Sequence, residues 1–378
     1  MKILLIVNPS ASGVTARGRV MIQNALAAEH DLTVSETKRR GHATRMAQGA
    51  SAQGIELVVS LGGDGTVNEV ANGLVRTPTA LGVLPGGSTN VFARTIGFVN
   101  EPVEATTQLL EAIGRSSIRR VGLGNVNGRF FLFHVGMGYD AAVVEQVEKR
   151  GQLKRWLGHP LFMFAAIDTW ARRFDRKHAH FRVSFGPGSS IGSGAMAALK
   201  DPNALLHADG PHLRSASSPA SESFPTGKPD RGLPFAAQSA QRLLSRSDPS
   251  SSALSASLSG TGSDFVDGFF AIAMNTDPYT YLGPRALSLS PEANFDNPLS
   301  LVTLKKLDLV GTLGAVTAAI RGGGRLAKHC NVDVRTHLTG FTVRAHRPFP
   351  WQVDGDHLGN AELLEFRYEP EVLSLVVT

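Results

Sequence analysis

Short apolar runs alternate with helix-length segments from Met1 to Arg120. Ile3–Val7, Leu32–Thr37, Glu56–Leu61 and Ala80–Leu84 read as strands. Between and after them, Ala16–Glu29 reads as an amphipathic helix, and Ala43–Ala52, Val67–Leu74 and Val103–Ile113 as further helices. Strands separated by helix-length segments predict a parallel sheet with helices on both faces. Ligands in such sheets bind at the carboxyl ends of the strands, and the glycine-rich turns of this chain fall there.

The texture changes after about Val121. Val126–Val135, Ala179–Phe185, Gly268–Met274, Ala286–Leu289, Leu299–Leu304, Val332–Thr336, Phe341–Ala345 and Leu363–Tyr368 are short strands separated by turns. Ala141–Arg150, Pro160–Arg176 and Gly311–Arg321 are helix-like exceptions. The pattern predicts an α/β domain over 1–121, then a mainly antiparallel β domain over 122–378 whose last strand is able to return to the first domain. One tract breaks it. Residues 187–262 contain 17 Ser and 8 Pro, with no Val, Trp or Tyr, and read as a disordered insertion within the β domain. A lid over the active site is the alternative.

Composition narrows the class. With 378 residues, 42% hydrophobic and 19% charged, the chain has the make-up of a soluble globular enzyme and not of a fibrous or disulfide-scaffold protein. Its single cysteine, Cys330, excludes an intramolecular disulfide and a multi-Cys metal site, which fits a cytoplasmic setting. No run approaches the ~20 apolar residues of a spanning helix, so any membrane contact is predicted to be peripheral. The net charge of +6 suits lipid headgroups or nucleotide phosphates and does not indicate nucleic acid.

The strongest motif is Leu61-Gly62-Gly63-Asp64-Gly65-Thr66-Val67-Asn68-Glu69, which follows a strand and opens a helix. Paired glycines let backbone approach a polyphosphate, and a helix N-terminus favours anionic charge. Asp64 would repel phosphate unless a cation bridges them, as Mg²⁺ on ATP does; otherwise it caps a strand-to-helix turn. Pro85-Gly86-Gly87-Ser88-Thr89-Asn90 and Val7-Asn8-Pro9-Ser10-Ala11-Ser12-Gly13 are two more loops at strand ends. Three such loops predict a nucleotide site, although neither a P-loop nor a Rossmann fingerprint is present.

VNPSASG, GGDGTVNEV and LPGGSTN, in this order and spacing, resemble the diacylglycerol kinase catalytic family, which includes bacterial lipid kinases and sphingosine kinases. GGDGT alone is shared with NAD kinases, but there Asn-Glu does not follow directly as Asn68-Glu69 does here. The resemblance implies a phosphofructokinase/NAD-kinase-like α/β N-terminal domain, a C-terminal β-sandwich with a lipid pocket, and ATP and Mg²⁺ as cofactors. It implies that Asn8, Ser10, Gly13, Thr37, Gly63, Asp64, Gly65, Thr66, Val67, Asn68, Glu69 and Thr89 line the nucleotide. It also places the catalytic base in Asp354-Gly355-Asp356, at Asp356, with Asp64 as the rival base. The residues alone favour a hairpin turn there.

Two departures stand out. Asp356 is one methylene shorter than the family's Glu. Where the family supports a structural Mg²⁺ with three Asp positions, this chain has Val91, Gly122 and Asp296-Asn297, leaving Asp296 as the one candidate metal ligand. Asp140 reads as a helix cap or a head-group contact, and Tyr279 and Tyr281 as core or pocket mouth. Lys154–Leu157, Leu161–Phe164 and Trp170–Phe174 suit either a core-facing helix or an interfacial segment. The expected activity is phosphoryl transfer from ATP to a hydroxyl of a diacylglycerol-like or sphingoid lipid at a membrane surface. The rivals are a kinase of a soluble substrate such as NAD and a catalytically weak nucleotide- or lipid-binding homologue. A homodimer is left open.

Overall fold

The computed structural model describes residues 1–139, 141–143, 175, 178–186, 264–282, 285–322 and 324–378. By contacts the chain divides into Met1–Gly192 with Asp264–Thr378, and Ser193–Ser263, which lies outside the described residues. Also outside them lie Asp140, the rest of the tract at 187–262, the stretches at 154–157, 161–164 and 170–174, and most of the helices expected at 141–150 and 160–176.

Strands β1 (Lys2–Val7), β2 (Asp31–Glu36), β3 (Leu57–Gly62) and β4 (Ala80–Pro85) pair in parallel in the order β2-β1-β3-β4. Apart from Lys2, every residue of β1, β3 and β4 is buried, as expected of parallel strands covered on both faces. Helices α1 (Ala16–Ala27), α2 (His42–Ala52), α3 (Asp64–Leu74), α4 (Val91–Thr95) and α5 (Pro102–Gly114) connect and cover them. Local chemistry fixes several of their starts. The Thr15 hydroxyl accepts the Gly18 N–H at 3.0 Å to cap α1, and α5 opens on Pro102 with the Glu101 carboxylate accepting the Glu104 N–H.

The remaining strands are β5 (Ile118–Val126), β6 (Arg129–Phe131), β7 (His134–Gly138), β8 (Phe181–Phe185), β9 (Asp264–Gly268), β10 (Phe270–Met274), β11 (Thr280–Leu282), β12 (Arg285–Leu287), β13 (Leu299–Leu304), β14 (Val332–Leu338), β15 (Gly340–Val353) and β16 (Asp356–Val376). Helix α6 (Leu309–Arg321) lies between β13 and β14. The main path runs β14-β13-β10-β7-β15-β16-β4-β3-β1-β2. Strand β16 joins the two halves. It pairs antiparallel with β15 and β5, then parallel with β4 through Ser374↔Ala80 and Leu375↔Leu81. The architecture is a parallel α/β domain followed by a mainly antiparallel β domain.

β15 and β16 extend well beyond the expected strands Phe341–Ala345 and Leu363–Tyr368. The intervening sequence is polar and contains Pro348 and Pro350, so it carries no alternating signal. The β15–β16 register shifts between Arg344 and Phe349 and again between Pro350 and Gln352; such irregularities are where a strand tolerates proline.

One apolar cluster surrounds the parallel sheet and includes Leu373, Leu375 and Val376 of β16. A second fills the antiparallel region around Phe131, Phe181, Phe349 and Phe366. A third lies under α6, with Ala315 and Ala319 packed near Ile272, Val302 and Leu326.

Helices α2 and α3 meet at Gly73, where a Cβ would lie 2.5 Å from the Thr44 carbonyl oxygen and 2.7 Å from the Ala47 Cβ. Gly49, within α2, has nothing within 4 Å of that point. Gly73→Ala is therefore expected to lower stability by about 1–3 kcal/mol through overpacking. Gly49→Ala should raise it by roughly 0.5–1 kcal/mol through helix propensity. Chemical denaturation of the two variants beside the parent checks the opposite signs.

Candidate active site

The loops after β1, β3 and β4 stack backbone on backbone. The Gly13 N–H donates to the Gly86 carbonyl and the Gly86 N–H to the Gly62 carbonyl, each at 2.8 Å. A Cβ on Gly86 would stand 2.8 Å from the Gly62 Cα, one on Gly87 2.8 Å from the Gly63 Cα, and one on Gly13 2.9 Å from the Gly87 oxygen. No side chain fits between these loops. Asn90 closes the third loop by accepting the Gly87 N–H at 2.8 Å and donating to the Gly87 carbonyl at 3.0 Å.

Asp64 opens α3, and its carboxylate accepts the N–H groups of Val91 and Phe92 at 3.0 Å each. It thus caps the following helix, α4, and ties the second loop to the third. Burial pushes its pKa up, against the pull of those two N–H donors. Asp64 is not among the residues lining the adjacent cavity, so its carboxylate stands apart from the place where the sequence leads one to expect Mg–ATP.

That cavity has a volume of about 460 Å³. Of the residues expected to face a nucleotide, Asn8, Ser10, Thr37, Gly63, Gly65, Thr66 and Glu69 line it, as does Asp356. Gly13, Val67, Asn68 and Thr89 do not. Gly13 is used in loop stacking, Val67 is core, and Asn68 is buried against the hairpin described below. The Asn8 amide donates to the Thr66 hydroxyl at 3.0 Å and its oxygen accepts the Ser10 N–H, so the first and second loops are cross-linked at the cavity edge. No side chain caps α3, and its N-terminus borders the cavity at Gly63 and Gly65 with its partial positive charge. Lys38, Arg39 and Arg40 add a cationic strip, and Ser12 and Ser88 add hydroxyls. The motifs do not single out these five as nucleotide ligands. A signal exists all the same: Lys38-Arg39-Arg40 directly follows the strand expected to end at Thr37.

Glu69 has a second role, accepting the N–H groups of Gly41 at 2.8 Å and Ala43 at 3.1 Å. It fastens the N-terminus of α2, and with it the cationic strip.

Asp354 and Gly355 form a two-residue turn with φ of 48° and 85°, and Val353 pairs with Asp356 across it. Asp354 is buried. Its carboxylate accepts the N–H groups of Leu132, Phe133 and His134 at 2.8–3.1 Å and the Asn68 amide at 2.7 Å. The Asn68 oxygen in turn accepts from Arg129 at 2.9 Å. Burial lifts Asp354 to about 6, more than these N–H donors pull it down. Asp356, two residues on, turns into the cavity. Arg40 meets it at 3.0 Å and Arg129 at 3.5 Å, and its Oδ1 lies 3.4 Å from where a Gly65 Cβ would stand.

The Asp296 carboxylate pairs with Arg119 at 2.7 Å, and the space over Gly122 is filled by the Tyr368 ring. Among the described residues no group of three or more His, Cys, Asp or Glu side chains is placed to hold a metal ion. Tyr281 lies under the Arg94 guanidinium at 3.5 Å and Tyr279 against His134, so both pack internally.

Asp354→Asn sets an amide N–H against the N–H donors that the carboxylate receives, and should lower unfolding free energy by about 1–3 kcal/mol in a denaturant titration. His134 is buried beside Tyr279, and burial lowers its pKa from 6.5 to about 3. Below pH 6.5 the unfolded chain takes up a proton that the folded chain refuses until about pH 3. His134 therefore makes stability fall on acidification, by at most about 1.4 kcal/mol per pH unit. Asp354 acts oppositely between 3.8 and about 6, weakening the fold as pH rises, because the folded chain holds its proton longer. His134→Phe should flatten or invert the acid limb of the stability–pH curve.

Residues 2–126 match the diacylglycerol kinase catalytic domain. A YegS-like lipid kinase of Chromohalobacter salexigens is 34% identical over 186 residues, covering 45% of this chain and 58% of the relative. A diacylglycerol kinase of Bacillus subtilis is 32% identical over 152 residues, covering 39% and 48%. The chain thus spans about half the length of these curated relatives. A crystal structure of a diacylglycerol kinase from Bacillus anthracis superposes with a TM-score of 0.56 at 16% identity, over 100% of this chain and 97% of that one, and shares the fold. Residues 2–126, whose loops form most of the cavity, are thus similar to the diacylglycerol kinase catalytic domain.

Proposed function

We propose that this chain transfers the γ-phosphoryl group of ATP to a hydroxyl of a diacylglycerol-like or sphingoid lipid. The observation that carries the reading is the meeting, in one cavity, of three stacked glycine loops, the uncapped N-terminus of α3, a cationic strip and the Asp356 carboxylate. Backbone N–H groups, hydroxyls and cations are what a polyphosphate requires, and a carboxylate at the same place suits a hydroxyl acceptor.

In this reading Asn8, Ser10 and Thr66 hold phosphate oxygens, the Thr37–Arg40 segment covers them, and Gly63 and Gly65 admit close approach. Glu69 keeps the cationic strip in place from behind. Asp356 accepts the proton of the lipid hydroxyl as its oxygen bonds to the γ-phosphorus; the bond from that phosphorus to the bridging oxygen breaks and ADP leaves. Arg40 and Arg129 hold this short carboxylate beside Gly65, which offsets the methylene it lacks relative to Glu. Asp64 then acts by positioning, joining two loops through α4.

Mg²⁺ bound to ATP would neutralise phosphate charge, and the cavity carboxylates Glu69 and Asp356 are the residues here able to meet it. A further resident metal at Asp296 does not fit the Arg119 pairing. No helix among the described residues is long and apolar enough to cross a membrane. The reading has the enzyme meet its lipid as a peripheral protein at a cytoplasmic membrane surface.

Transfer of labelled phosphate from ATP to diacylglycerol and sphingosine in mixed micelles tests the reading. Asp356→Asn should reduce kcat by about a hundredfold or more with ATP binding retained. Transfer to NAD in place of any lipid would overturn the lipid assignment. Full activity in Asp356→Asn would overturn the base.

A further inference from the structure

Helix α6 has two unlike faces. Ala315 and Ala319 are buried on the third core cluster, whereas Val310, Leu313, Val316 and Ile320 are 82%, 58%, 49% and 55% exposed. At about 100° per residue the four exposed side chains fall within an arc of roughly 120°, opposite the two alanines. They form one outward apolar stripe along a 13-residue helix. Scattered exposed apolar residues need no explanation, but a contiguous stripe does.

The charges around the stripe choose its occupant. Lys305 and Lys306 precede the helix, Arg321 is its last residue, and Arg325 and Lys328 follow it. None of the five is in a salt bridge among the described residues. The one acidic side chain between Lys305 and Lys328, Asp308, caps the helix by accepting the Gly311 N–H at 2.7 Å and also accepts from Asn331. An apolar stripe between two unneutralised cationic ends matches a bilayer whose acyl region takes the stripe and whose anionic headgroups meet the ends. A protein partner would instead call for acidic and polar groups to satisfy the rim.

We propose that α6 is a membrane-docking helix that lies in the interface of an anionic bilayer with Val310, Leu313, Val316 and Ile320 inserted. It rests on the lipid-kinase reading in one respect: docking brings the enzyme to a substrate that resides in that bilayer. The helix contributes no residue to the cavity.

The test is sedimentation of the full chain with vesicles of phosphatidylethanolamine containing phosphatidylglycerol, beside vesicles of phosphatidylcholine alone. The parent protein should partition onto the anionic vesicles, more weakly as salt rises. L313Q/V316Q/I320Q should bind at least about tenfold more weakly, and K305Q/K306Q/R321Q should lose the salt dependence. Circular dichroism and phosphorylation of a short-chain, water-soluble diacylglycerol should be unchanged in both variants. Parent-like vesicle binding by the apolar triple variant would overturn the proposal. So would a parent dimer that this variant converts to monomer, since a second copy would then occupy the stripe. Failure to phosphorylate the soluble diacylglycerol while vesicle binding stands would instead remove the kinase reading and leave the docking surface in place.

Discussion

The arrangement of the site depends on the contact among the three glycine loops. Neighbouring parallel strands lie roughly 4.8 Å apart, so loops leaving β1, β3 and β4 at the same edge are already close. Gly13, Gly62, Gly63, Gly86 and Gly87 let them close fully, with carbonyl–amide bonds of 2.8 Å between loops. A methyl group at Gly86 would have to displace the Gly62 backbone. Because α3 and α4 start directly from two of these loops, that displacement would carry both helix N-termini with it. The glycines that a nucleotide reading assigns to the ligand are thus first required by the protein, and the cavity floor is a consequence of the stacking.

Asp64 and Asp354 extend the same constraint in two directions. Asp354 is buried and Asp64 half-buried, and each carboxylate is satisfied by backbone N–H groups, a form in which burial of a charge is tolerated. Asp64 locks the second loop to α4 within the α/β domain. Asp354 ties Asn68 of α3 to the start of β7 and to the β15–β16 turn, across the join between the two domains. Asp356 therefore enters the cavity from a strand of the β domain, at a position set by a neighbour two residues away. Their surroundings explain why these two acids differ: Asp354 faces inward to N–H donors, whereas Asp356 faces Arg40 and Arg129.

Much of this is legible from sequence because it rests on local patterns. The parallel strands are continuous apolar runs, and the loops are marked by glycine pairs at their ends. The Asp-Gly turn before Asp356 is the commonest hairpin signal, and the structure makes it a hairpin whose far residue faces the cavity. What escapes depends on partners distant in the chain. Asp64 caps a helix that starts 27 residues later, and Asn68 bonds to Asp354 over a separation of 286, neither of which periodicity encodes. Long β15 and β16 read as short strands because their middle is polar and proline-bearing, and the register shifts conceal the alternation. The pairing of Asp296 with Arg119 spans 177 residues and is likewise absent from any local pattern.

The modest net charge of +6 conceals two separate cationic places with different surroundings. Lys38, Arg39 and Arg40 stand over a polar cavity beside Glu69 and Asp356, where alternating sign suits a multiply charged ligand that must be both held and released. The cations at the ends of α6 have no acidic neighbours in pairing distance and frame an apolar stripe, so nothing within the described protein neutralises them. A uniformly solvated basic surface would intersperse charges of both signs and leave no such stripe. Under the proposed lipid-kinase reading, the two places would answer two requirements of a single reaction, phosphate being gripped in a confined polar pocket and the lipid that receives it being met on a broad surface.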